Sequence, residues 1–266
     1  MKIYFFWLLL VFSLIYPTWA LAQGTITVGV VSGADEIIME KVKQVAKKNG
    51  VEVTIEVFSD YLQPNIALIK KKIDINSFQH IPYLHDFNTS QKSNLVSIGN
   101  TYIAPIGFFS NKIKSLKELN EGDTVAIAQD ATNGGRALLL LERAGLIKLR
   151  PGSSLLASPD EIIENPLNLK FIRLDASVMA KARDKAVMAA INANYSIEAG
   201  LNPIDDAVYV EDFESPYINV IVARAEDKDK AILKSFVEAY QSKEVADFIL
   251  GHFKGSILPV FHYNQY

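Results

Sequence analysis

The chain has 266 residues, 49% hydrophobic and 21% charged, with a formal net charge of −3 and no cysteine. That length supports one large domain or two modest lobes, and the charge content is too ordinary for a disordered chain. The acidic balance gives no electrostatic reason to bind nucleic acid, and the lack of cysteine excludes disulfides, thiolate nucleophiles, cysteine zinc sites and iron–sulfur clusters.

The chain opens on Lys2 and an apolar run, Ile3 to Tyr16, broken by Ser13; Ala20-Leu21-Ala22 then supplies an A-x-A site. This pattern predicts a signal peptide over residues 1–22, cleaved after Ala22, and an exported protein that is periplasmic or secreted. An uncleaved anchor is the competing reading, but the run is short for a span of roughly 20 residues. Both tryptophans, Trp7 and Trp19, lie in this leader.

Thr25 to Val31 is β-branched and bounded by glycine and serine, which predicts a buried strand. Ser32 to Asp35 opens a helix with Ile38, Val42 and Val45 on one stripe, Lys47 and Lys48 in its last turn and Asn49-Gly50 as its stop. Val51 to Phe58 alternates strictly, completing a βαβ unit. Further along, the patterning predicts a helix over 61–72 and strands over 73–78, 124–128, 187–193 and 219–224. Helices are expected from Arg136 to Ala144, after Ser158-Pro159-Asp160-Glu161, and once or twice within 231–249; Ser115 to Glu118 reads as a capping box. No linker rich in proline or glycine divides the chain, which predicts two α/β lobes crossed more than once.

Local motifs for catalysis are missing: the four histidines, His80, His85, His252 and His262, form no H-E-x-x-H pair, and no G-x-S-x-G or Walker sequence occurs. No catalytic residue, metal ligand or cofactor site is therefore assigned. Three clusters carry chemistry of another kind. Asp130-Ala131-Thr132-Asn133-Gly134-Gly135-Arg136 follows a strand and opens a helix, where backbone N–H groups and an arginine could hold a carboxylate; taken alone it reads more readily as an ordinary glycine turn with a surface arginine. Tyr61, Phe78, His80 and Tyr83 could line a pocket for an apolar or thioether side chain, or simply be core. Asn192 and Asn219 each offer a donor and an acceptor suited to an amino-acid head group.

The blocks that carry these residues, DYLQPN, DINSFQHIPYL, TNGGRALLLLERAGLIKL, INANYSIEAGL and ESPYINVIVAR, resemble the methionine-binding substrate-binding proteins of ABC importers, the NlpA-type lipoproteins. The resemblance runs from about Thr25 to Phe261. It implies an α/β, two-lobed type-2 periplasmic-binding-protein fold with a ligand cleft between the lobes. One lobe would comprise residues 24–104 and 211–266, the other 105–210, with a hinge near Tyr102 to Gly107 and Glu214 to Val220. It also implies that Arg136 binds the ligand α-carboxylate, that Asn192 and Asn219 hold the head group, and that Tyr61, Phe78, His80 and Tyr83 enclose the thioether.

The implied partners are methionine or a related amino acid or dipeptide, and an ABC importer permease with its ATPase; a monomer needing no cofactor is expected. Where family members carry a cysteine for a lipid anchor, this chain has Ala22-Gln23, so no such anchor is expected. A secreted interaction protein that kept the fold, or an exported enzyme on it, are the rival readings.

Overall fold

The computed structural model describes residues 24–214 and 216–261; the predicted leader, its cleavage site and His262 lie outside the described residues. Strand β1 (Gly24–Val31), helix α1 (Ala34–Lys48) and strand β2 (Val51–Phe58) form as their patterns predict, with β1 and β2 parallel from Gly24–Val51 to Val31–Phe58. Ile38, Val42 and Val45 bury the apolar stripe of α1. Gly33 enters that helix at φ 93°, and a Cβ there would lie 2.3 Å from the Asn194 carbonyl oxygen, so the turn admits only glycine.

Helix α2 (Gln63–Ile69) is shorter than the predicted 61–72. Asp60 takes the N–H groups of Leu62 and Gln63 at 2.9 and 3.0 Å, holding Tyr61 in a turn ahead of the helix. Strand β3 (Ile75–His80) starts two residues later than predicted and runs straight into α3 (Ile81–Gln91), followed by β4 (Leu95–Asn100), β5 (Tyr102–Ile103) and β6 (Ile106–Phe109). The next stretch holds β7 (Thr124–Ala128), α4 (Ala131–Arg143), β8 (Lys148–Leu149), β9 (Ile162–Glu164), β10 (Lys170–Leu174) and α5 (Met179–Ala182). Strand β11 (Met188–Asn192), helix α6 (Ala193–Glu198), β12 (Tyr209–Val210), β13 (Asn219–Arg224), α7 (Ala231–Tyr240), α8 (Lys243–Phe253) and β14 (Leu258–Pro259) complete the order.

Two predicted helix starts yield only single 3₁₀ turns. At Ser115 the glutamate reaches the N–H of Lys114 at 3.1 Å and not that of the serine, and Asn120-Glu121-Gly122 ends the segment. At Ser158 the turn Pro159–Glu161 runs directly into β9, because Ile162 and Ile163 are β-branched and Asn165-Pro166 follows.

Two five-stranded sheets organise the molecule, in the orders β2-β1-β3-β13-β4 and β10-β7-β11-β6-β12. The first takes its strands from residues 24–100 and 219–224, the second from residues 106–210. The chain therefore passes between lobes after β4 and returns after β12, and β13 pairs antiparallel with both β3 and β4. This is the two-lobed α/β architecture that the sequence implies. Helices α1, α7 and α8 bury one face of the first sheet through Ile38, Phe236 and Ile249, and α4 covers the second sheet through Leu138 and Leu141. A further apolar cluster runs without a break from Val31, Phe78 and Val220 of the first lobe to Ala128, Ile191 and Tyr195 of the second, so the lobes are closed on one another.

Candidate ligand site

A narrow cavity lies between the lobes, and all seven residues singled out in the sequence line it. Phe78 and His80 come from the end of β3, Tyr83 from the first turn of α3, and Tyr61 from the turn before α2. Arg136 projects from α4, Asn192 ends β11, and Asn219 begins β13, where it pairs with His80. Strand ends and helix starts from both lobes thus meet at one place.

One side of the cavity is aromatic. The Tyr61 ring stacks on Phe78 at 6.0 Å and meets Tyr83 edge-on at 5.9 Å, while Phe78 and Tyr83 meet edge-on at 6.1 Å. Tyr195 of the second lobe stands 5.0 Å from Tyr61, and the Tyr61 hydroxyl donates to Asn194 Oδ1 at 2.6 Å across the cleft. Beneath this wall the buried amides of Asn65, Asn76 and Gln79 satisfy one another at 2.7–2.9 Å, locking α2 to β3.

His80 sits between the aromatic and polar sides. Its Nδ1 accepts the Tyr83 N–H at 3.1 Å, capping α3, so the ring proton belongs on Nε2, which faces Asn133 Oδ1 at 3.3 Å. Burial, with the Arg136 charge nearby, pushes the imidazole down from 6.5 to about 3, and it is neutral at ordinary pH. Asn133 Oδ1 also accepts from Asn192 Nδ2 at 2.8 Å, and Asn133 itself is held through its N–H and Nδ2 by Asp130 Oδ1, both at 2.9 Å.

The glycine-bearing segment opens a helix as its sequence suggests, but α4 begins at Ala131 and not at the predicted Arg136, so the glycines lie in its first turns. Asp130 caps it with its own carboxylate, so the helix start is occupied from within the chain. The glycines serve close packing: a Cβ on Gly134 would lie 2.7 Å from the Ala128 carbonyl oxygen, and one on Gly135 would lie 2.4 Å from that of Leu155.

Arg136 is buried and held on three sides. Its Nε donates to both carboxylate oxygens of Glu211 at 3.1 Å, its Nη2 donates to Glu211 and to the Ala104 carbonyl, the latter at 2.9 Å, and the Tyr217 ring covers its face 4.2 Å from the guanidinium carbon. Among the described residues no hydrogen bond engages Nη1, although Arg136 lines the cavity. The cavity lining therefore combines Arg136 and side-chain amides with aromatic rings. No group of three or more His, Asp or Glu side chains that could hold a metal ion occurs among the described residues.

Residues 26–261 match the NlpA lipoprotein family. The chain belongs to that family. It is 46% identical over 237 residues to the D-methionine-binding lipoprotein MetQ of Yersinia pestis, covering 88% of each protein. A nutrient-binding protein from Burkholderia cenocepacia, solved bound to methionine, is 44% identical and superposes with a TM-score of 0.87 over 89% of this chain and all of that one. A periplasmic substrate-binding protein of an ABC transporter from Coxiella burnetii is 40% identical, with a TM-score of 0.85 over 88% of this chain and 100% of that one. Family membership also agrees with an extracytoplasmic location.

Several residues at the site were not singled out from the sequence. Asn133 lay within the motif that drew notice to Arg136, and its place three residues after a capping Asp130 was a readable signal. Glu211 had a subtler one, since a buried arginine requires a counter-charge. Tyr102 and Asn194 also line the cavity, and the hydroxyl of Tyr102 bonds to the buried carboxyl of Asp35 in the first turn of α1. Burial raises that carboxyl from 3.8 to about 7, against the effect of the tyrosine hydrogen bond.

Proposed function

We propose that this chain is an extracytoplasmic substrate-binding protein that captures methionine, or a closely related amino acid or dipeptide, and delivers it to an ABC importer permease and its ATPase. The observation that carries this reading is the lining of the cavity, which combines Arg136 and side-chain amides with the rings of Tyr61, Phe78 and Tyr83. Arg136 takes the α-carboxylate, Asn192 and Asn219 hold the head group, and the three rings with neutral His80 enclose the thioether. The likeness to a relative solved with methionine supports the same ligand.

In this reading the protein binds and releases without chemistry. Residues 24–104 and 211–266 form one lobe and 105–210 the other, bending near Tyr102 to Gly107 and Glu214 to Val220. The leader is removed after Ala22. With no cysteine to carry a diacylglycerol, the mature protein diffuses in the periplasm or outside the cell, unlike relatives described as lipoproteins.

Mass spectrometry of small molecules released from the purified, denatured protein tests the ligand, followed by calorimetry with L- and D-methionine. Release of methionine and its rebinding support the proposal; an intact protein that releases and binds no amino acid overturns it. Arg136→Ala should be the worst single loss, because it leaves the ligand carboxylate buried without a partner, and binding within about threefold of wild type would refute the assigned role.

A further inference from the structure

Glu211 lies on the segment that returns from β12 to β13, and it is buried, at 7% exposure. It does not line the cavity that holds the seven site residues. Instead it lines a second, solvent-open hollow that also borders Arg136, together with Leu139, Arg143 and Pro216. Its contacts join three parts of the chain. Its carboxylate receives Nε and Nη2 of Arg136 on α4, and Oε2 stands 3.4 Å from the N–H of Ile106, at the start of β6 on the outgoing crossing. Arg136 Nη2 in turn donates to Ala104 on that same crossing. One arginine and one glutamate therefore tie the outgoing and returning connections to each other and to α4.

We infer that Glu211 is a positioning residue for ligand binding: it fixes the Arg136 guanidinium so that its remaining Nη1 edge meets the ligand carboxylate, and it links that edge to both connections between the lobes. This inference rests on the role proposed above for Arg136. Two facts make Glu211 the determinant. Arg136 has several rotatable bonds, and the bidentate fork to a carboxylate is the contact that fixes its plane; the Tyr217 ring restrains only its face. The pair also keeps the buried guanidinium charge compensated before ligand arrives.

The test is a double-mutant cycle on the full chain, read by calorimetry with L-methionine and with L-methioninamide, which lacks the carboxylate charge. Glu211→Ala should weaken methionine about tenfold or more, weaken methioninamide clearly less, and have no further effect in an Arg136→Ala background. Glu211→Gln keeps the size and one acceptor and should lose less than Glu211→Ala, which keeps the test usable if the alanine variant does not fold. A loss shared equally by both ligands, or one that persists without Arg136, would mark a merely structural residue and overturn the inference. If Arg136→Ala weakens methionine while both Glu211 variants bind normally, the inference fails and the role of Arg136 stands. If Arg136→Ala itself leaves methionine binding unchanged, the carboxylate role falls, and the inference with it.

Discussion

Asn133 of the second lobe sets its side-chain oxygen 3.3 Å from Nε2 of His80 on the first, and the same oxygen receives Nδ2 of Asn192 at 2.8 Å. The contact bridges the cleft at the boundary between its aromatic and polar sides. Because Nδ1 of His80 is already engaged by the Tyr83 N–H, the imidazole has one proton to give, and Asn133 is where it points.

Asn133→Ala should therefore weaken ligand binding without removing a proposed ligand contact. It leaves the His80 and Asn192 N–H groups without their acceptor, at about 1–3 kcal/mol for each group that stays buried, so a loss of roughly tenfold or more in affinity is expected. Titration calorimetry measures the loss, and thermal unfolding without ligand separates closure from folding. An unchanged Kd would show that the bridge does not contribute to the closed state.

The buried carboxyl of Asp35 predicts a pH signature. Its value rises from 3.8 to about 7 in the folded protein, so the native state holds the proton more tightly than the unfolded chain does. Stability from this group is full below about pH 4 and is lost as pH rises through about 7. Asp35→Asn removes that loss, so its stability relative to wild type should climb between pH 4 and 8 by at least about 2 kcal/mol. Denaturant unfolding at pH 4, 6 and 8 decides the matter; a difference that stays flat with pH would contradict the burial of a titrating group. His80, pushed the opposite way, is common to both proteins and cancels in the comparison.

Two glycines inside helices should respond oppositely to alanine. At Gly135 the new methyl would lie 2.4 Å from the Leu155 carbonyl oxygen and 2.8 Å from the Ala157 nitrogen, both backbone atoms that cannot swing aside. At Gly251, exposed on α8, nothing lies within 4 Å. Gly135→Ala should cost about 2 kcal/mol or more by overpacking, whereas Gly251→Ala should stabilise by up to about 1 kcal/mol through helix propensity. Thermal melts of the two variants measure both signs.

How legible each part was follows from where its information resides. Strand β13 could be read to the residue because Asn-Val-Ile-Val-Ala-Arg is a β-branched run buried along its whole length. Helix α3 could not, since its start is capped by a histidine side chain and only Tyr83, Leu84 and Phe87 face the core. Strands β5 and β12 are two residues each, and partners distant in the chain decide their conformation. At the site, residues with distinctive chemistry within recognisable blocks were readable. Glu211 was not, because Tyr-Val-Glu-Asp has no feature of its own; its meaning arises only when Arg136 is buried beside it.

The placement of β13 also determines the order in which the molecule can be completed. Strand β4 has no neighbour in its sheet except β13, and β3 is flanked by β1 and β13, so the first lobe awaits residues 219–224 and then the helices that cover it. The second sheet draws all its strands from one unbroken stretch, residues 106–210. During synthesis from the N-terminus, the lobe encoded in the middle of the chain closes first, and the lobe begun at residue 24 finishes last.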